Sequence, residues 1–361
     1  MNIGKKQLKG MIFEDLEYSL IGLGEQKFRA KQIFKWMYEA KINSFDEMLN
    51  IPKDLRNKLS ESYTLNTLEL HSSKVSEIDG TTKYIFKTEK NHKIESVIIP
   101  DYNRITLCLS TQVGCPLDCK FCATGLMGYK QNLTSGEIID QYILASKYYK
   151  KKITNIVYMG MGEPLLNFEN CLNSLRIFNS DLISNIHLKH ITVSTSGIVP
   201  NIYKLADSGL NIRLALSLHS CFNEIRSEIM PINNKYPLED LIKASKYFAD
   251  KTRLKITIEY VMLKGINDRD EDIKGLAKLF SQLPIKINII PFNSLKHMNP
   301  EGLSSKLEPT SKEKINEFVD KLKEKNIQVM IRNTQGEDID AACGQLAIKM
   351  NDWMYDCMKI W

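Results

Sequence analysis

Three cysteines stand close together in one short stretch of the chain. Cys115, Cys119 and Cys122 have the spacing C-x3-C-x2-C and follow a strand-like apolar run at 105–110. Thiolates this close converge on one metal centre, but structural zinc normally takes four protein ligands, with cysteines paired as C-x2-4-C. A cubane iron–sulfur cluster on three cysteines keeps one iron free for a substrate or cofactor. The loop therefore predicts a catalytic cluster, with a zinc knuckle or three unrelated core thiols as the alternatives.

Polar residues also follow the later strand-like runs. Gly-Met-Gly and then Glu163 end the second run, Ser194 ends the third, Ser217 to His219 end the fourth, and Asn293 follows the sixth. In a (β/α) barrel the active site is built at the carboxyl ends of the strands. Each feature alone is weak, because Gly-Met-Gly is most often a turn and a strand-end serine is most often a cap. Together they predict a pocket for a polar cofactor around the cluster.

The elements that would position these residues alternate between apolar β-rich runs and helical stretches. Candidate strands cover 105–110, 153–159, 190–194, 212–218, 256–262, 285–290 and 327–331. Two capping boxes, Thr134 with Glu137 and Thr310 with Glu313, predict helix starts between them. Such alternation is typical of a parallel sheet with crossover helices. We predict an α/β fold, a complete or partial TIM-like (β/α) barrel over 101–346, with an open doubly wound sheet as the alternative.

The first hundred residues have a different pattern. Residues 1–67 predict a small helical module, because Phe28, Ile33, Phe34 and Met37 recur at helical spacing and shorter helices follow near 45–49 and 52–59. Residues 68–100 change to short alternating runs around the turn residues 79–80, which predicts a short antiparallel β segment ended by proline 100. The polar stretch 293–309 predicts a long surface loop, and 347–361 a carboxyl-terminal tail.

Composition and charge narrow the class of protein. Lys and Arg number 49 against 43 Asp and Glu, and the net charge of +6 permits a nucleic-acid partner without requiring one. The amino terminus has no apolar stretch typical of a signal peptide, and no run approaches the roughly 18 residues of a membrane span. Eight cysteines without a secretory signal indicate reduced thiols. We expect a cytoplasmic protein that makes no membrane contact and is a monomer.

The cysteine spacing, with an aromatic residue before the last cysteine, resembles that of the radical S-adenosylmethionine (SAM) enzymes. Longer strings are similar to those of the dual-specificity 23S rRNA and tRNA adenine-C2 methyltransferases. These strings are Ser110-Thr-Gln-Val-Gly-Cys115, Cys119-Lys-Phe-Cys-Ala-Thr-Gly125, Met159-Gly-Met-Gly-Glu-Pro-Leu165, Ala215-Leu-Ser-Leu-His219 and Ala341-Ala-Cys-Gly-Gln-Leu346. A further match at 28–36 extends the resemblance over nearly the whole chain. The sequence departs from the family at Ser294, where most relatives have proline.

The resemblance implies a set of cofactors and partners. It places one [4Fe–4S] cluster on the three cysteines and uses two SAM molecules per turnover, one of them cleaved to a 5′-deoxyadenosyl radical. The implied SAM-site residues are Gly162, Glu163, Ser194, Ser217, Leu218, His219 and Asn293. An electron donor such as a flavodoxin or ferredoxin is implied, and 23S rRNA and tRNA are the implied substrates. The helical module, with Arg29, Lys31 and Lys35, would dock the RNA.

Three further residues acquire roles only through the resemblance. Cys343 matches a cysteine that is itself methylated, and Cys108 matches the partner that resolves a covalent RNA intermediate by forming a transient disulfide with Cys343. Glu95 falls where the family has a candidate proton acceptor. Without the resemblance, both cysteines would be interpreted as small buried hydrophobes and Glu95 as a solvent-facing charge. The disulfide would have to be reduced by cellular thiols after each turnover.

Several alternatives stay open on the sequence alone. A sister activity methylates C8 of the same rRNA adenosine, confers antibiotic resistance and uses the same cysteines. A zinc-binding RNA adaptor is a second alternative, and a radical SAM enzyme of peptides or small molecules is a third, although it gives no reason to pair Cys343 with Cys108. Cys171, Cys221 and Cys357 match no motif and are interpreted as structural. The basic run 147–152 is either a phosphate-contacting patch or a solvated helix end.

Overall fold

The computed structural model describes residues 5–183 and 186–348, so Cys357 and nearly all of the predicted tail lie outside the described residues. The chain begins with a small module of β1 (Lys6–Gln7), α1 (Phe13–Gly22), α2 (Phe28–Tyr38), α3 (Lys53–Ser62) and β2 (Tyr63–Thr64). Helix α2 buries the apolar residues at the predicted helical spacing, among them Ile33, Phe34 and Met37. Helix α1, which the sequence did not single out, packs Phe13 edge-on against Phe34. The predicted helical module is therefore present.

An antiparallel segment follows the helical module. It consists of β3 (Leu68–Val75), β4 (Thr82–Thr88), β5 (Lys93–Asp101) and β6 (Arg104–Cys108), each paired with the next. Gly80 has φ +73° at the predicted turn between β3 and β4. The predicted strand end at Pro100 is wrong, because β5 continues through it. Since the pairing of β5 with β4 stops at Ile98, only one neighbouring strand has to accommodate the proline ring.

The larger part of the chain alternates strands and helices. In order these are β7 (Gln112–Gly114), α4 (Ala123–Leu126), β8 (Tyr129–Asn132), α5 (Ser135–Tyr149), β9 (Asn155–Tyr158), α6 (Phe168–Phe178), β10 (Ile191–Thr195), α7 (Val199–Asp207), β11 (Arg213–Ser217), α8 (Asn223–Ile229), α9 (Leu238–Thr252), β12 (Ile256–Met262), α10 (Asp270–Phe280), β13 (Ile285–Pro291), α11 (Lys312–Glu324) and β14 (Val329–Ile331). All seven strands predicted from the sequence are present. Strands β7 and β8 form a separate two-stranded sheet that carries the cysteine loop between them.

Strand order decides between the two predicted architectures. The main sheet has ten strands in the order β14-β13-β12-β11-β10-β9-β6-β5-β4-β3, and β6 and β9 to β14 are parallel neighbours. Parallel strands that pair in chain order build a (β/α) barrel, whereas a doubly wound sheet reverses its order at a switch point. Among the described residues β14 pairs only with β13, so the barrel is partial.

The segment after β14 brings the two ends of the open sheet together without strand pairing. The Gln335 side chain donates to the carbonyl of Pro100 at 3.1 Å, and the backbone N–H of Gly336 donates to Asp79 at 2.8 Å. The Lys83 ammonium donates to the carbonyl of Asp340 at 3.1 Å. Residues 335–340 therefore lie against the β3–β4 turn and the neighbouring strands, close to the position of Cys343 in the chain.

One predicted capping box is confirmed and the other is wrong. Thr134 and Glu137 exchange hydrogen bonds of 3.1 and 2.8 Å at the start of α5. Helix α11 is capped by Ser311, because the hydroxyl of the buried Thr310 donates instead to Asp268 at 3.0 Å. No helix in the described part of the chain is long and apolar enough to cross a membrane.

Candidate active site

The three cysteines lie in a tight loop between β7 and β8. The backbone N–H of Cys115 donates to the carbonyl of Gly128, and that of Cys122 to the carbonyl of Cys119, at 3.0 and 3.1 Å. Gly114, at the end of β7, has φ +73°, and a Cβ there would lie 1.7 Å from the carbonyl oxygen of Gly128. A glycine is therefore required where the loop leaves the strand. All three cysteines line one cleft.

Burial works against ionisation of the three cysteine thiols. Burial raises the pKa of Cys115 to about 12 and also raises the pKa of Cys119 and Cys122. Thiols in this environment stay protonated until a metal displaces the proton. In the described residues no three His, Cys, Asp or Glu side chains are close enough to bind one ion. A cubane does not require three side chains on one ion, since each ligated iron takes its own thiolate. Three cysteines therefore fit a [4Fe–4S] cluster with one open iron.

The strand-end residues line the same cleft as the cysteines. Those predicted to bind SAM and found in the wall are Gly162, Glu163, Ser194, Ser217, His219 and Asn293. The cleft has a volume of about 980 Å³ when the open solvent at its mouth is included. Leu218 is the exception, because its side chain is buried in the main core. The tertiary structure therefore brings six of the seven predicted SAM-site residues to the cysteine loop.

Glu163 connects the ends of two neighbouring strands. Its carboxylate accepts hydrogen bonds from the backbone N–H of Leu165 at 2.9 Å and of Ser196 at 2.7 Å. Burial raises the pKa of Glu163, and these backbone hydrogen bonds oppose the shift because they favour the ionised form. Gly162 has φ +94°, and a Cβ there would lie 2.5 Å from Cβ of Gln112. The Gly-Glu pair therefore fixes the shape of the cleft wall.

His219 is a buried, neutral histidine beside the cysteine loop. It has φ +56°, and its Nδ1 accepts a hydrogen bond from the backbone N–H of Val261 at 3.0 Å. Burial, assisted by the nearby Arg226, lowers the pKa of His219 to about 3. Since Nδ1 is the acceptor, the proton of the neutral ring is on Nε2. The ring packs edge-on against Phe121 at 4.6 Å between centroids, which connects the β11 end to the cysteine loop.

Cys343 and Cys108 meet at a second, smaller cavity that adjoins the cleft. Cys343 lines both spaces, whereas Cys108 lines only the second, which encloses about 420 Å³. Both are free thiols. Burial, together with the proximity of Cys343, raises the pKa of Cys108 to about 12, and Arg332 opposes this shift. Asn293 donates to the carbonyl of Cys343 at 3.0 Å, so a predicted SAM-site residue holds the backbone that carries this cysteine.

Comparisons with known proteins show the family of this chain. Residues 109–277 match the model of the Radical SAM superfamily, and residues 6–65 match that of the ribosomal RNA large subunit methyltransferase N-terminal domain. The probable dual-specificity RNA methyltransferase RlmN of Thermotoga maritima is 45% identical over 95% of this chain and 98% of its own length. The protein of the same description from Staphylococcus aureus is 42% identical over 96% of this chain and 94% of its own.

This chain belongs to the RlmN family. It is therefore a SAM-dependent RNA methyltransferase with a radical mechanism, as the sequence predicted. A crystal structure of a radical SAM methyltransferase from Sphaerobacter thermophilus has a TM-score of 0.87 and 38% identity. The aligned region covers 94% of this chain and 98% of the chain in that structure. The family membership gives this chain its cofactors, SAM and a [4Fe–4S] cluster.

Arg226 supports the wall of this RlmN-family cleft from behind, and the sequence did not reveal it. The side chain is completely buried, and it donates to the carbonyls of Ser196 at 2.7 Å and Ser217 at 3.2 Å. Its Nε donates to the carbonyl of Leu218 at 3.1 Å. An arginine in a short helix resembles any solvent-facing charge, so no sequence signal distinguishes it. Burial raises the pKa of Cys119, and the Arg226 cation opposes this shift.

Two charged residues of the cleft were also missed. Glu259 of β12 and Arg332 after β14 both line it, with 4.0 Å between Oε2 and Nη1. Burial raises the pKa of Glu259, and Arg332 opposes the shift. The Arg332 guanidinium also lies 3.7 Å from the sulfur of Met159 and lines the second cavity. Arg332 is thus a cation shared by the cofactor cleft and the cysteine pair.

The remaining predicted residues lie as follows. Glu95 is fully buried and paired with Lys83, so the interpretation that it faces solvent is wrong.

Lys31 and Lys35 are exposed on α2, and Arg29 is half-buried over the ring of Phe28. The basic run 147–152 covers the last turn of α5 and the residues after it, and Lys147 donates to Asn43 of the helical module. Cys171 is buried in α6, and Cys221 is half-buried after β11.

The predicted surface loop 293–309 is partly buried. Leu295 and Leu307 belong to a second apolar cluster that contains Leu117 and Cys119 of the cysteine loop. The chain also forms a bridge between Leu263 and Pro309. The prediction missed this because the stretch is polar in composition, and its few leucines gain their significance only from the distant residues that they contact. This loop therefore covers one side of the cysteine loop.

Proposed function

We propose that this enzyme methylates C2 of an adenosine in 23S rRNA and of the adenosine next to the anticodon in tRNA. Its curated relatives are named dual-specificity RNA methyltransferases, which supports two RNA substrates. The observation that carries the proposal is the shared cavity of Cys108 and Cys343, which adjoins the cleft of the three cluster cysteines. An aryl carbon such as C2 is a poor nucleophile, and a pair of protein thiols offers a covalent route around this difficulty.

When bound, the cluster and SAM supply a 5′-deoxyadenosyl radical, and a further SAM supplies a methyl group. In this proposal three residues of the chain carry out or support the steps that lead to the covalent intermediate. Cys343 holds the incoming methyl carbon as a thioether, gives up one hydrogen atom from that carbon to the 5′-deoxyadenosyl radical, and becomes joined through the carbon to C2 of the base. Glu95 takes up the C2 proton, and the unpaired electron leaves the base with it, for which the cluster would be the one-electron acceptor. Asn293 holds the Cys343 carbonyl and so keeps this sulfur at the cleft.

Release of the product falls to Cys108. Its sulfur, as a thiolate, attacks the sulfur of Cys343 and forms an S–S bond, while the bond between the Cys343 sulfur and the methylene carbon breaks. The electron pair of that bond stays on carbon, which gains a proton and becomes the methyl group on C2. The resulting disulfide is reduced by cellular thiols, with two electrons, before the next turnover. Arg332, which lines the cavity with both cysteines, favours the thiolate of Cys108.

Intact-mass measurement of the purified enzyme tests the roles of the two cysteines. We expect one methyl group on Cys343 in the wild-type protein, and none in Cys343→Ala, which should retain its iron and lose RNA methylation. We expect Cys108→Ala to accumulate a covalent protein–RNA adduct. Full turnover by Cys343→Ala would remove the methyl-cysteine step. A purified protein that contains zinc and no iron after anaerobic reconstitution would favour the RNA-adaptor alternative.

The position of the methyl group and the identity of the RNA need a separate experiment. Mass spectrometry of 23S rRNA and tRNA from a deletion strain should show loss of 2-methyladenosine from both. Loss of 8-methyladenosine from the rRNA would assign the sister activity instead, and unchanged RNA would overturn the proposal. Reduction of the cluster in the same assay requires an electron donor, for which we propose a flavodoxin or ferredoxin. We further propose that the helical module docks the RNA through Arg29, Lys31 and Lys35.

A further inference from the structure

A lysine and a glutamate form a buried ion pair inside the antiparallel part of the sheet. Lys83 Nζ lies 3.1 Å from Glu95 Oε1, and the two side chains are 3% and 0% exposed. Lys83 is on β4 and Glu95 on β5, in diagonal positions across the strand pair, since Lys83 is directly opposite Val97. Burying an ammonium group and a carboxylate is costly unless each one offsets the charge of the other. Neither charge would be stable at this place alone.

The same ammonium group also holds the segment that carries Cys343. Lys83 Nζ donates to the backbone carbonyl of Asp340 at 3.1 Å, three residues before Cys343. Asp340 has φ +51°, a conformation that only a few residue types adopt readily. One cation therefore contacts both the Glu95 carboxylate and the backbone that leads to Cys343.

The ion pair lies beside the cavity of the two cysteines. Val97 is opposite Lys83 on one side and opposite Cys108 on the other, and both Val97 and Cys108 line that cavity. Residues two apart on a strand face the same side of the sheet, so Glu95 is on the cavity side. The Lys83–Glu95 pair is therefore next to the place where the proposed covalent intermediate would form.

The charges around Glu95 determine its protonation. Burial raises its pKa, Lys83 on β4 opposes this shift, and Asp340 in the segment after β14 adds to it. Two uncharged side chains of the described residues contact the Glu95 backbone from other neighbouring elements. The hydroxyl of Ser110 donates to the Glu95 carbonyl at 2.5 Å, and the sulfur of Met161 lies 3.4 Å from the Glu95 backbone nitrogen. Lys83 is thus the cation that opposes protonation of this buried carboxyl group.

We propose that Lys83 is a positioning residue that keeps Glu95 ionised as a proton acceptor and holds the Cys343 segment at the cysteine cavity. This inference rests on the proposed function. When Glu95 takes up the proton from C2 of the base, the ion pair loses its negative member while Lys83 keeps its hydrogen bond to Asp340. Proton uptake and the position of the cysteine segment are in this way connected through one ammonium group.

Substitution of Lys83 tests the proposal in the reconstituted holoenzyme. Lys83→Met keeps the length of the side chain and removes its charge. We expect RNA turnover at neutral pH to fall by about a hundredfold, the lower end of what loss of a general base costs. The acidic limb of the pH–rate profile should move to higher pH, because Glu95 without its cation is harder to ionise. Covalent protein–RNA adduct should accumulate, while the methyl group on Cys343 stays detectable by intact mass.

Two further variants distinguish the effect of losing the Lys83 charge from an effect on folding. Lys83→Arg keeps a cation and should return the acidic limb to the wild-type position. Lys83→Gln can still donate to Asp340 but has no charge, so its acidic limb should shift as that of Lys83→Met does. If Lys83→Met fails to fold, Lys83→Gln takes its place in the test. A wild-type pH profile in Lys83→Gln would overturn the proposal.

Lys9→Met is the matched control. Lys9 is also a buried lysine, 2% exposed, and its Nζ lies 2.5 Å from Asp140 at the junction of the helical module with α5. Its loss should lower the melting temperature without moving the acidic limb. The same limb shift in Lys9→Met would overturn the role of Lys83. Absence of a methyl group on Cys343 in the wild-type enzyme would contradict the proposed function. If that methyl group is present and the Lys83 variants behave as the wild type does, only the inference about Lys83 is contradicted.

Discussion

The carboxylate of Glu163 accepts a hydrogen bond from the backbone N–H of Ser196 at 2.7 Å, and so joins the carboxyl ends of β9 and β10. The other carboxylate oxygen accepts from the N–H of Leu165 at 2.9 Å. The glutamate of the Gly-Glu-Pro motif is therefore occupied on both oxygens by backbone. Its contribution to the cleft is to fix two loops relative to each other.

Glu163→Gln should loosen this wall of the cleft. An amide can present only one oxygen, so its NH₂ group would face a backbone N–H and leave a buried donor unsatisfied. We expect a loss of about 1–3 kcal/mol in the free energy of unfolding and weaker SAM binding. Thermal unfolding and calorimetric titration with SAM measure these changes. Glu169→Gln, on an exposed position of α6, should change neither quantity, and wild-type SAM affinity in Glu163→Gln would contradict the expectation.

His219→Asn should make the protein less sensitive to acid. In the folded protein the pKa of His219 is about 3, against an ordinary 6.5, so between these values the unfolded chain binds a proton that the folded chain does not. The free energy of unfolding therefore falls as the pH is lowered from 6.5 toward 3, by up to about 1.4 kcal/mol per pH unit. Asparagine offers an acceptor to Val261, tolerates the positive φ and has no such proton.

The measurement is the melting temperature of the metal-free protein, for wild type and His219→Asn, across that pH range. We expect the two curves to converge in acid and the wild type to lose more stability on the way. Parallel curves would show that protonation of His219 does not contribute to acid unfolding.

Arg226→Lys should destabilise the carboxyl ends of β10 and β11. Lysine keeps the charge but cannot reach the carbonyls of Ser196, Ser217 and Leu218 together. At least two buried acceptors would lose a charged donor, each bond being worth about 1.5–3 kcal/mol, so we expect a loss of roughly 3 kcal/mol or more by denaturant unfolding. The exposed Arg176 of α6 provides the control, since Arg176→Lys should have no measurable effect.

Removal of one cluster cysteine should abolish iron binding. Cys119 is buried at the cleft and belongs to the three-thiol set, so Cys119→Ala leaves too few thiolates for the cluster. We expect iron and sulfide contents near zero after anaerobic reconstitution. Cys221→Ala, which removes a half-buried thiol outside this set, should bind iron as the wild type does. A full cluster in Cys119→Ala would show that another residue supplies the third ligand.

The antiparallel segment shows where sequence patterns stop being informative. The turn at Gly80 and the strands on either side were predictable, because turn chemistry and alternation are local properties. The end of β5 was not, since a proline is tolerated wherever only one neighbouring strand is present, and that depends on the register with β4. The start of helix α11 also depends on a tertiary contact. Thr310 and Ser311 are equivalent caps by type, and the contact of Thr310 with Asp268 decides between them.

The sequence by itself determined the cysteine loop, the alternation of strands and helices along the chain and the residues at the carboxyl ends of the strands, because spacing and periodicity record local geometry. It also determined the family, since the matching strings extend along nearly the whole chain. The order of the strands in the sheet came from the structure. Only the tertiary structure decided which charges are buried. Arg226, Lys83 and Glu95 look like solvent-facing residues in sequence, and they become internal only when distant strands and loops pack around them. Burial depends on contacts between residues far apart in the chain, and a local pattern does not record those contacts.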